Sequence, residues 1–488
     1  MTTPTHLQGG TAPPTPLSGR TAVVVLTAIL AASFMELLDA TIVSVAAPAI
    51  AHDLGAGEAA IQWMMAGYTL AVGAGLITGG RLGDSYGRRR VFLLGLAAFM
   101  LASAGCGLAP GSGALVGMRI VQGLAGGLMI PQVFGIIRAS FEPGARAKAL
   151  GAYGAVLGMA SVAGPLLGGI LVETDLFGLG WRAIFWVNVP IALIALAVGA
   201  RALPESRAPG RSRLDLTGAL LAAVAAVLLL LPLMQGREWG WPWWGFAILA
   251  LSVPVAALFL AWQRRLTVRG AQPILDPALL RVRAFAGGLA VSLLFFGAIG
   301  SFFLLLSLYL QLGAGYTALD TGLVILPYAI GSLVTSGIGV RFAHRFGRAL
   351  LTGGALTLAV SQVALLLVVG DGTEPAYWSL AAPLFLGGLG LGLTAPSLIG
   401  VVLAGVPARD AGAAGGVLTT VTQIGNALGV AVLGVVFFTR LDDSLAGGAA
   451  NLPAHGDALA AILLWQIGCY VGAAALMFLL PPRAASHE

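Results

Sequence analysis

Two carboxylates and one guanidinium lie inside long apolar stretches of the chain. Glu36 and Asp39 fall in FMELLDATIVSV, and Arg119 begins RIVQGLAGG. A charge at the centre of a membrane-spanning helix costs about 2.5–3.5 kcal/mol even on the lenient insertion scale, so such residues point to function. Glu36 and Asp39 share one helical face. Two acids beside one base leave a surplus carboxyl, which predicts a site that exchanges a proton.

The depth of these groups in the membrane follows from the direction of the predicted spans that carry them. If the first span runs outward and the fourth inward, Asp39 lies roughly 13 Å and Arg119 roughly 9 Å inside the same boundary, at 1.5 Å rise per residue. The three groups can therefore meet, and a cationic substrate could compete with the proton. A buried pair that only serves helix packing is the alternative, but it leaves the second acid without a role.

The composition is that of a polytopic membrane protein. Hydrophobic residues make up 58% and charged residues 9% of the 488-residue chain, and the mean hydropathy is +0.93. Cys106 and Cys469 each lie in an apolar run, so we expect neither a disulfide framework nor a thiolate metal site. Basic loops on one side of a membrane explain the net charge of +6, and nucleic acid is not an expected partner.

Fourteen apolar segments are long enough to cross a ~30 Å hydrocarbon core, which needs about 20 helical residues. All are expected to be helices, because open strands cannot satisfy their backbone polar groups in lipid. The first segment is too long for a signal-peptide core and is expected to remain as a span. The predicted spans are 21–50, 58–80, 90–109, 113–137, 149–172, 182–200, 214–235, 243–262, 285–312, 321–340, 349–370, 377–404, 412–438 and 458–480.

The distribution of arginines predicts the orientation. Basic residues collect in cytoplasmic loops, and an even number of spans places both termini on one side. One set of loops and tails carries nearly all of them, whereas the other set has only Arg182, Arg237 and Arg440. We therefore expect a multi-pass protein of the cell membrane with both termini in the cytoplasm. The tryptophans of REWGWPWWG are expected to form an aromatic belt on the outer side.

The chain contains an internal repeat. Three stretches at 79–89, 123–131 and 151–168 match stretches at 339–349, 388–396 and 412–429, in the same order and at nearly one shift. Two copies of six spans with one orientation form the parallel repeat of some secondary transporters. The predicted organisation is a disordered cytoplasmic tail (1–20), a six-helix bundle (21–205), two inserted spans with their loops (206–283), a second six-helix bundle (284–482) and a cytoplasmic tail (483–488).

Five short stretches combine glycines with charged or aromatic residues. They are LDATIVSVAAP (38–48), GRLGDSYGRRR (80–90), RIVQGLAGG (119–127), GPLLGG (164–169) and WRAIFWVNVP (181–190). Together they resemble motifs of the major facilitator superfamily, over nearly the whole chain after residue 20. The second is similar to the superfamily's loop motif between spans two and three. The first, fourth and fifth resemble its fourteen-span drug:proton antiporter branch, with Ser44 where asparagine is usual.

The resemblance implies a fold and a function. The fold is an all-α polytopic membrane protein, with two six-helix bundles plus two inserted spans. The function is proton-coupled antiport, which exports amphipathic organic compounds such as drugs or antibiotics by alternating access. The resemblance implies no enzymatic activity and no cofactor.

The same motifs suggest the gating residues. Asp84, between Gly80 and an arginine cluster, predicts charge-assisted hydrogen bonds that latch the cytoplasmic gate, although a loop that only sets topology is the alternative. The second copy has His344 at this position, so its latch is weaker or different. The glycines of span five predict a hinge or, alternatively, close helix packing. The predicted gating residues are Gly80, Asp84, Gly87, Arg88, Arg89, Gly158, Gly164, Pro165, Gly168 and Gly169.

The resemblance also divides the two acids. Asp39 lies in the span-one motif and Glu36 does not, so Asp39, with Arg119, is assigned the coupling proton and Glu36 the recognition of positive charge. The inserted spans carry no ionisable residue at their centres and are expected to have a lipid-facing packing role. The predicted substrate-binding residues are Phe34, Met35, Glu36, Gln62, Trp63, Tyr68 and Gln122.

Two other interpretations stay open. A proton-coupled importer of a polar nutrient would use hydrogen-bonding side chains deep in the second bundle, where Gln311, Gln423 and Asn426 are candidates. A passive channel or a membrane-embedded enzyme is the other, but the histidines fall in loops or tails and no metal-ligating cluster is expected. The expected partners are protons, a small amphipathic substrate and the lipid bilayer, and the expected state is a monomer.

Overall fold

The computed structural model describes residues 19–207, 215–271, 273–370, 372–403, 406 and 411–480. Within these residues, fourteen helical segments are long and apolar enough to cross a membrane. The predicted all-α fold with fourteen spans is therefore confirmed, and the chain is a multi-pass membrane protein. Most of the two predicted tails lies outside the described residues.

Six spans form the first bundle. Helices α1, α3 and α4 pack around a shared apolar core, α2 packs along α4, and α5 packs along α1. The bounds are α1 (Gly19–Leu54), α2 (Glu58–Tyr86), α3 (Arg88–Gly107), α4 (Ser112–Ser140), α5 (Pro143–Glu173), α6 (Ala183–Trp186) and α7 (Asn188–Ala202).

Two inserted helices and a second bundle of six spans follow. The inserted helices are α8 (Leu216–Gln235) and α9 (Trp243–Val268). In the second bundle α12 packs along α14, and α10 and α13 pack against α16. Its bounds are α10 (Arg283–Gly300), α11 (Phe302–Leu308), α12 (Ala318–Phe346), α13 (Arg348–Val369), α14 (Tyr377–Leu403), α15 (Ala411–Ala446) and α16 (Asn451–Leu476).

Two spans are interrupted. Span six consists of a 3₁₀ turn at Gly180–Arg182 followed by α6 and α7. Span nine consists of α10, α11 and a π-helical turn at Tyr309–Gly313. Such turns mark places where the regular ladder of backbone hydrogen bonds is locally rearranged.

Close backbone contacts hold one helix pair in each bundle. A Cβ at Gly75 of α2 would lie 2.9 Å from the Cα of Gly127 on α4. In the second bundle, a Cβ at Gly339 of α12 would lie 2.9 Å from the carbonyl oxygen of Gly392 on α14. Only glycine allows this approach, which is typical of tightly packed membrane helices. The pairs α2–α4 and α12–α14 are therefore rigid units.

The bundles meet mainly through two helix pairs, α2 with α15 and α5 with α12, and α1 also contacts α11. Helix α8 packs against both α2 and α15, and α9 packs against α8. Alternating helix direction gives the molecule two ends. We call the end with the loops after α2, α4, α7, α9, α12 and α14 the Arg-rich end, and the other the opposite end.

The two bundles touch at the opposite end and separate toward the Arg-rich end. Near the opposite end, Gln311 Nε2 donates to the carbonyl oxygen of Val45 at 2.9 Å, and a Cβ at Gly169 would lie 2.5 Å from the carbonyl oxygen of Ala318. Further along α5, no described atom lies within 4 Å of the Cβ position at Gly151 or Gly154. Close contacts of α5 with α12 are therefore found at Gly169 and Gly158, which faces Leu333, and not at Gly154 or Gly151.

Candidate functional site

Asp39 is the centre of a buried polar network in the first bundle. Its side chain is 0% exposed and that of Arg119 is 1% exposed. Oδ2 of Asp39 accepts a hydrogen bond from Arg119 Nη1. Oδ1 accepts from Gln122 Nε2 at 2.9 Å and from Asn188 Nδ2 at 2.8 Å. Three donors from α4 and α7 thus compensate the burial of one carboxylate.

The Arg119 guanidinium makes contacts beyond its ion pair with Asp39. Its Nη1 also donates to Gln122 Oε1 at 2.9 Å, and its Nε donates to the carbonyl oxygen of Met64 at 3.2 Å. Its Cζ lies 4.0 Å from the ring centroid of Tyr68, a cation–π contact in a buried setting. The guanidinium therefore ties α4 to α1 and α2 at once.

Glu36 lies beside this network without an ion pair in the described residues. The hydroxyl of Tyr68 points toward Glu36 Oε1 at 3.4 Å and toward the carbonyl oxygen of Glu36 at 3.3 Å. The Glu36 side chain is partly exposed, whereas Asp39 is fully buried. Tyr68 thus bridges the two charged groups, with its ring on Arg119 and its hydroxyl near Glu36.

The other predicted substrate-binding residues divide into two groups. Phe34 and Trp63 are partly exposed, whereas Met35 is buried in the apolar core of the first bundle. Gln122 is buried in the Asp39 network, and Gln62 is buried where α2 meets α15 at Gly434. The structure therefore leaves Glu36, Phe34 and Trp63 more accessible to a ligand than Met35, Gln62 and Gln122.

Two members of the network were not assigned a role from sequence. Asn188 Nδ2 donates to Ser103 Oγ at 3.0 Å as well as to Asp39, and Ser103 Oγ donates to the carbonyl oxygen of Phe185 at 2.9 Å. Asn188 lies in WRAIFWVNVP, and its amide, buried in an apolar run, was the available signal. It links the break between α6 and α7 to the carboxylate.

The predicted loop latch forms contacts inside the first bundle. Asp84 Oδ1 and Arg88 Nη2 form an ion pair at 2.7 Å. Gly83 lies so close to the Gln132 amide that a Cβ would overlap with it. Glu205, which the sequence did not single out, accepts from the backbone N of Arg89 at 3.2 Å. The loop therefore fastens α2, α3 and α4 to the end of α7.

The remaining residues that the sequence predicts to act in gating lie at this loop or along α5. Gly80 packs loosely on Pro131, and Gly87, with φ 110°, joins α2 to α3. Gly164 and Gly168 pack against Thr41 and Ile42 of α1. Gly158 faces Leu333 of α12, and the carbonyl oxygen of Pro165 lies 2.6 Å from a Cβ built at Gly322. The side chain of His344 lies outside the described part of the chain.

Polar groups of the second bundle lie on the interface. Gln311 binds α1 as described, Asn426 Nδ2 donates to Gln423 Oε1 at 3.2 Å, and Gln423 packs on Gly73 of α2. Within the described residues, no ion pair comparable to Asp39 with Arg119 is found deep in this bundle. The buried charge is therefore concentrated in the first bundle.

Comparison with known proteins agrees with this architecture. The sequence model of the Major Facilitator Superfamily matches residues 29–215 and again 214–430. A probable actinorhodin transporter of Streptomyces coelicolor is 41% identical over 89% of this chain and 75% of its own length. The tetracenomycin C resistance and export protein of Streptomyces glaucescens is 35% identical over 99% of this chain and 89% of its own.

Solved structures share the fold. A bacterial homologue of the human lysosomal transporter Spinster, in an inward-facing and occupied conformation, has a TM-score of 0.63 at 17% identity, over 95% of this chain and 97% of that one. At this identity the likeness concerns the fold alone. Two successive matches to the family model, with relatives along most of the length, show that the chain belongs to the Major Facilitator Superfamily.

Proposed function

We propose that this protein is a proton-coupled exporter of amphipathic organic compounds that works by alternating access. The observation that carries the proposal is the buried Asp39–Arg119 pair with the partly exposed Glu36 beside it. Relatives named as an antibiotic transporter and as a resistance and export protein support the substrate class.

The network offers a physical route for coupling. Protonation of Asp39 would remove the negative charge that pairs with Arg119. One carboxyl oxygen would then carry a proton while facing N–H groups that are themselves donors. The proton-loaded and proton-free forms therefore favour different packing of α1 against α4, and a ligand can shift a conformational equilibrium only through such a difference. We assign the coupling proton to Asp39 on this ground.

Glu36 has the geometry of a recognition group. A carboxylate that is partly exposed and held only by Tyr68 in the described structure can meet a cationic compound directly. In a medium of low dielectric constant, the attraction between opposite charges is many times that in water. Phe34 and Trp63 would provide the apolar contacts for an amphipathic molecule.

We further propose that the Arg-rich end faces the cytoplasm and that both termini lie there. The excess of arginine at this end supports the orientation. Because the bundles touch at the opposite end, the structure then corresponds to an inward-facing state. A fourteen-span exporter would load its substrate in this state.

Transport in inside-out vesicles tests the function. Vesicles with the wild-type protein should accumulate cationic dyes or antibiotics when a pH gradient is imposed, and not when it is collapsed. Asp39→Asn should abolish gradient-driven uptake while binding stays measurable, because an amide cannot release a proton. Asp53→Asn is the matched control, since Asp53 is an exposed acid of the same helix that pairs with Arg182 at 2.7 Å.

Gradient-independent flux would indicate a channel, and uptake in the reverse direction an importer. Wild-type coupling in the Asp39→Asn protein would contradict the proposed role of the carboxylate. An importer of polar solutes has less support, because Gln311 and Gln423 engage the other bundle in the described structure.

A further inference from the structure

The two inserted helices make a specific charged contact with both bundles. Arg237, in the turn after α8, lies between Glu58 at the start of α2 and Asp442 near the end of α15. Its Nη1 lies 3.1 Å from Glu58 Oε2, and its Nη2 donates a hydrogen bond to Asp442 Oδ2. We call Arg237, Glu58 and Asp442 the clasp.

The turn that carries Arg237 is well fixed. The backbone N of Trp241 donates to the carbonyl oxygen of Gly236 at 2.7 Å, with Trp241 in the left-handed region at φ 52°. The rings of Trp239 and Trp244 pack at 4.6 Å between centroids. A rigid turn limits where the guanidinium can reach.

The neighbouring residue strengthens the link to the first bundle. Glu238 Oε1 accepts from the backbone N of Ala59 at 3.2 Å, in the first turn of α2. An acceptor at this position satisfies a free N–H and interacts favourably with the helix dipole. Arg237 and Glu238 therefore both contact the start of α2. Of the two, Arg237 also contacts Asp442 of α15.

The inserted helices are tied to α2 at the Arg-rich end as well. Arg81 Nη2 of α2 donates to the carbonyl oxygen of Pro273 at 2.5 Å. The segment beyond Pro273 is fixed to α9, because Gln263 Oε1 accepts from the backbone N of Ile274 at 2.7 Å. The inserted pair thus has contacts to α2 at both ends and a charged contact to α15 at the opposite end.

We propose that Arg237 is a positioning residue that stabilises the state in which the opposite end is closed. The proposal rests on alternating access and on the orientation given above. Opening of that end separates the ends of α2 and α15, and a guanidinium on a fixed turn can then keep only one of its two carboxylates. The clasp is complete in the closed state alone, so it shifts the population toward that state.

The size of the effect follows from the exposure of the groups. The side chains of Arg237, Glu58 and Asp442 are 21%, 34% and 62% exposed, so solvent screens the pairs. Exposed pairs are worth about 0.2–1 kcal/mol each, and opening breaks one of the two, so loss of the clasp should change the ratio of closed to open molecules by a factor of about 1.4 to 5. The inserted helices therefore help to close the opposite end, in addition to their expected packing role facing the lipid.

A cysteine reporter tests the clasp without transport. Gln62, buried against Gly434 where α2 meets α15, becomes accessible when the opposite end opens. In Gln62→Cys protein in right-side-out vesicles, Arg237→Gln should increase the rate of labelling by a membrane-impermeant maleimide by a factor of about 1.4 to 5. Arg237→Lys should give an intermediate rate, because an ammonium lacks the fork that engages two carboxylates. Protein without the reporter gives the background from Cys106 and Cys469.

Arg182→Gln is the matched control. Arg182 lies at the same end but pairs with Asp53 inside the first bundle, so its loss should leave labelling unchanged. Unchanged labelling in Arg237→Gln, or an equal increase in Arg182→Gln, would overturn the proposal. Should Arg237→Gln fail to fold, Asp442→Asn serves in its place with the same expectation. Labelling needs neither substrate nor gradient. A negative result would therefore contradict the clasp alone, and the transport assay would still test the proposed function.

Discussion

The Asp39 carboxylate and the Arg119 guanidinium define the chemistry at the scale of single residues. Removal of one member of a buried ion pair leaves an uncompensated charge and costs about 3–5 kcal/mol, so Asp39 and Arg119 depend on each other in the first bundle. Glu36, three residues away, has only the long contact from Tyr68 in the described structure. Two acids on one helical face therefore have different surroundings and different expected roles.

We expect Glu36→Gln to weaken export of cationic compounds and largely to spare neutral ones. The amide keeps the shape and the contact with Tyr68 but removes the charge. Transport of a charged dye and a neutral drug by the same vesicles would measure the ratio. An equal loss for both compounds would contradict a role in charge recognition and would indicate a structural role for Glu36.

At the scale of helices, the contacts of the loop after α2 give a second prediction. Asp84→Asn removes the partly buried ion pair with Arg88, which joins two helices across the break at Gly87 and is worth roughly 1 kcal/mol or less. Membrane insertion and thermal stability should therefore be unchanged, while transport turnover falls several-fold because the loop no longer fastens α2 to α3. Turnover and melting temperature of the purified protein check this.

The duplicated loop provides the comparison for Asp84. His344→Ala changes the corresponding position of the second copy, which has no acid to lose, and should have the smaller effect on turnover. Equal losses from the two substitutions, or none from Asp84→Asn, would mean that the loop serves topology alone.

Helix α5 gives a third prediction through two of its own glycines. A Cβ at Gly169 would lie 2.5 Å from the carbonyl oxygen of Ala318, so Gly169→Ala must push α5 away from α12 at the opposite end. We expect it to favour the state open at that end and to reduce export. Gly154→Ala, on the same helix with no described atom within 4 Å, should transport as wild type. Maleimide labelling of Gln62→Cys would report the change of state, and equal behaviour of the two variants would argue against close packing as the cause.

The elements that sequence predicts well are those dictated by the bilayer. All fourteen spans follow from apolar segments of sufficient length, and the structure has them. The ends are less well predicted. Helix α2 continues through Arg81 and Asp84 to Tyr86, and α15 continues through Arg440 to Ala446. A helix satisfies its own backbone hydrogen bonds outside lipid as well, so a charged residue marks the membrane boundary and not the helix end.

The candidate site is partly predictable for a related reason. Glu36, Asp39 and Arg119 can be identified from sequence because a charged side chain in a membrane-spanning segment is costly in free energy whatever its neighbours are. Asn188, Glu205 and the partners of Arg237 depend on which helices become neighbours, and this information is spread along the chain. The exposure of a side chain also depends on which helices become neighbours, and Met35, predicted to bind substrate, packs in the apolar core.

At the scale of the whole molecule, the arginine asymmetry gives a topological prediction. A phosphatase reporter fused at Gly240, in the turn between α8 and α9, should be active, because the proposed orientation puts this turn outside the cytoplasm. The same reporter fused at Arg207 should be inactive and a fluorescent-protein fusion there should be bright. The reverse pattern would invert the assignment of the two ends and with it the inward-facing interpretation.

The glycine contacts of α2 with α4 and of α12 with α14 lie at positions different from the predicted substrate-binding residues. Because these backbones touch directly, a side-chain change cannot readily be accommodated there. Phe34 and Trp63 are partly exposed and have no such constraint. If these two residues contact the substrate as proposed, their substitution alters which compounds are accepted and leaves the close helix contacts intact. A population of cells under a new toxic compound would thus find its useful mutations at the accessible residues, and the range of exported compounds can change faster than the transport machinery.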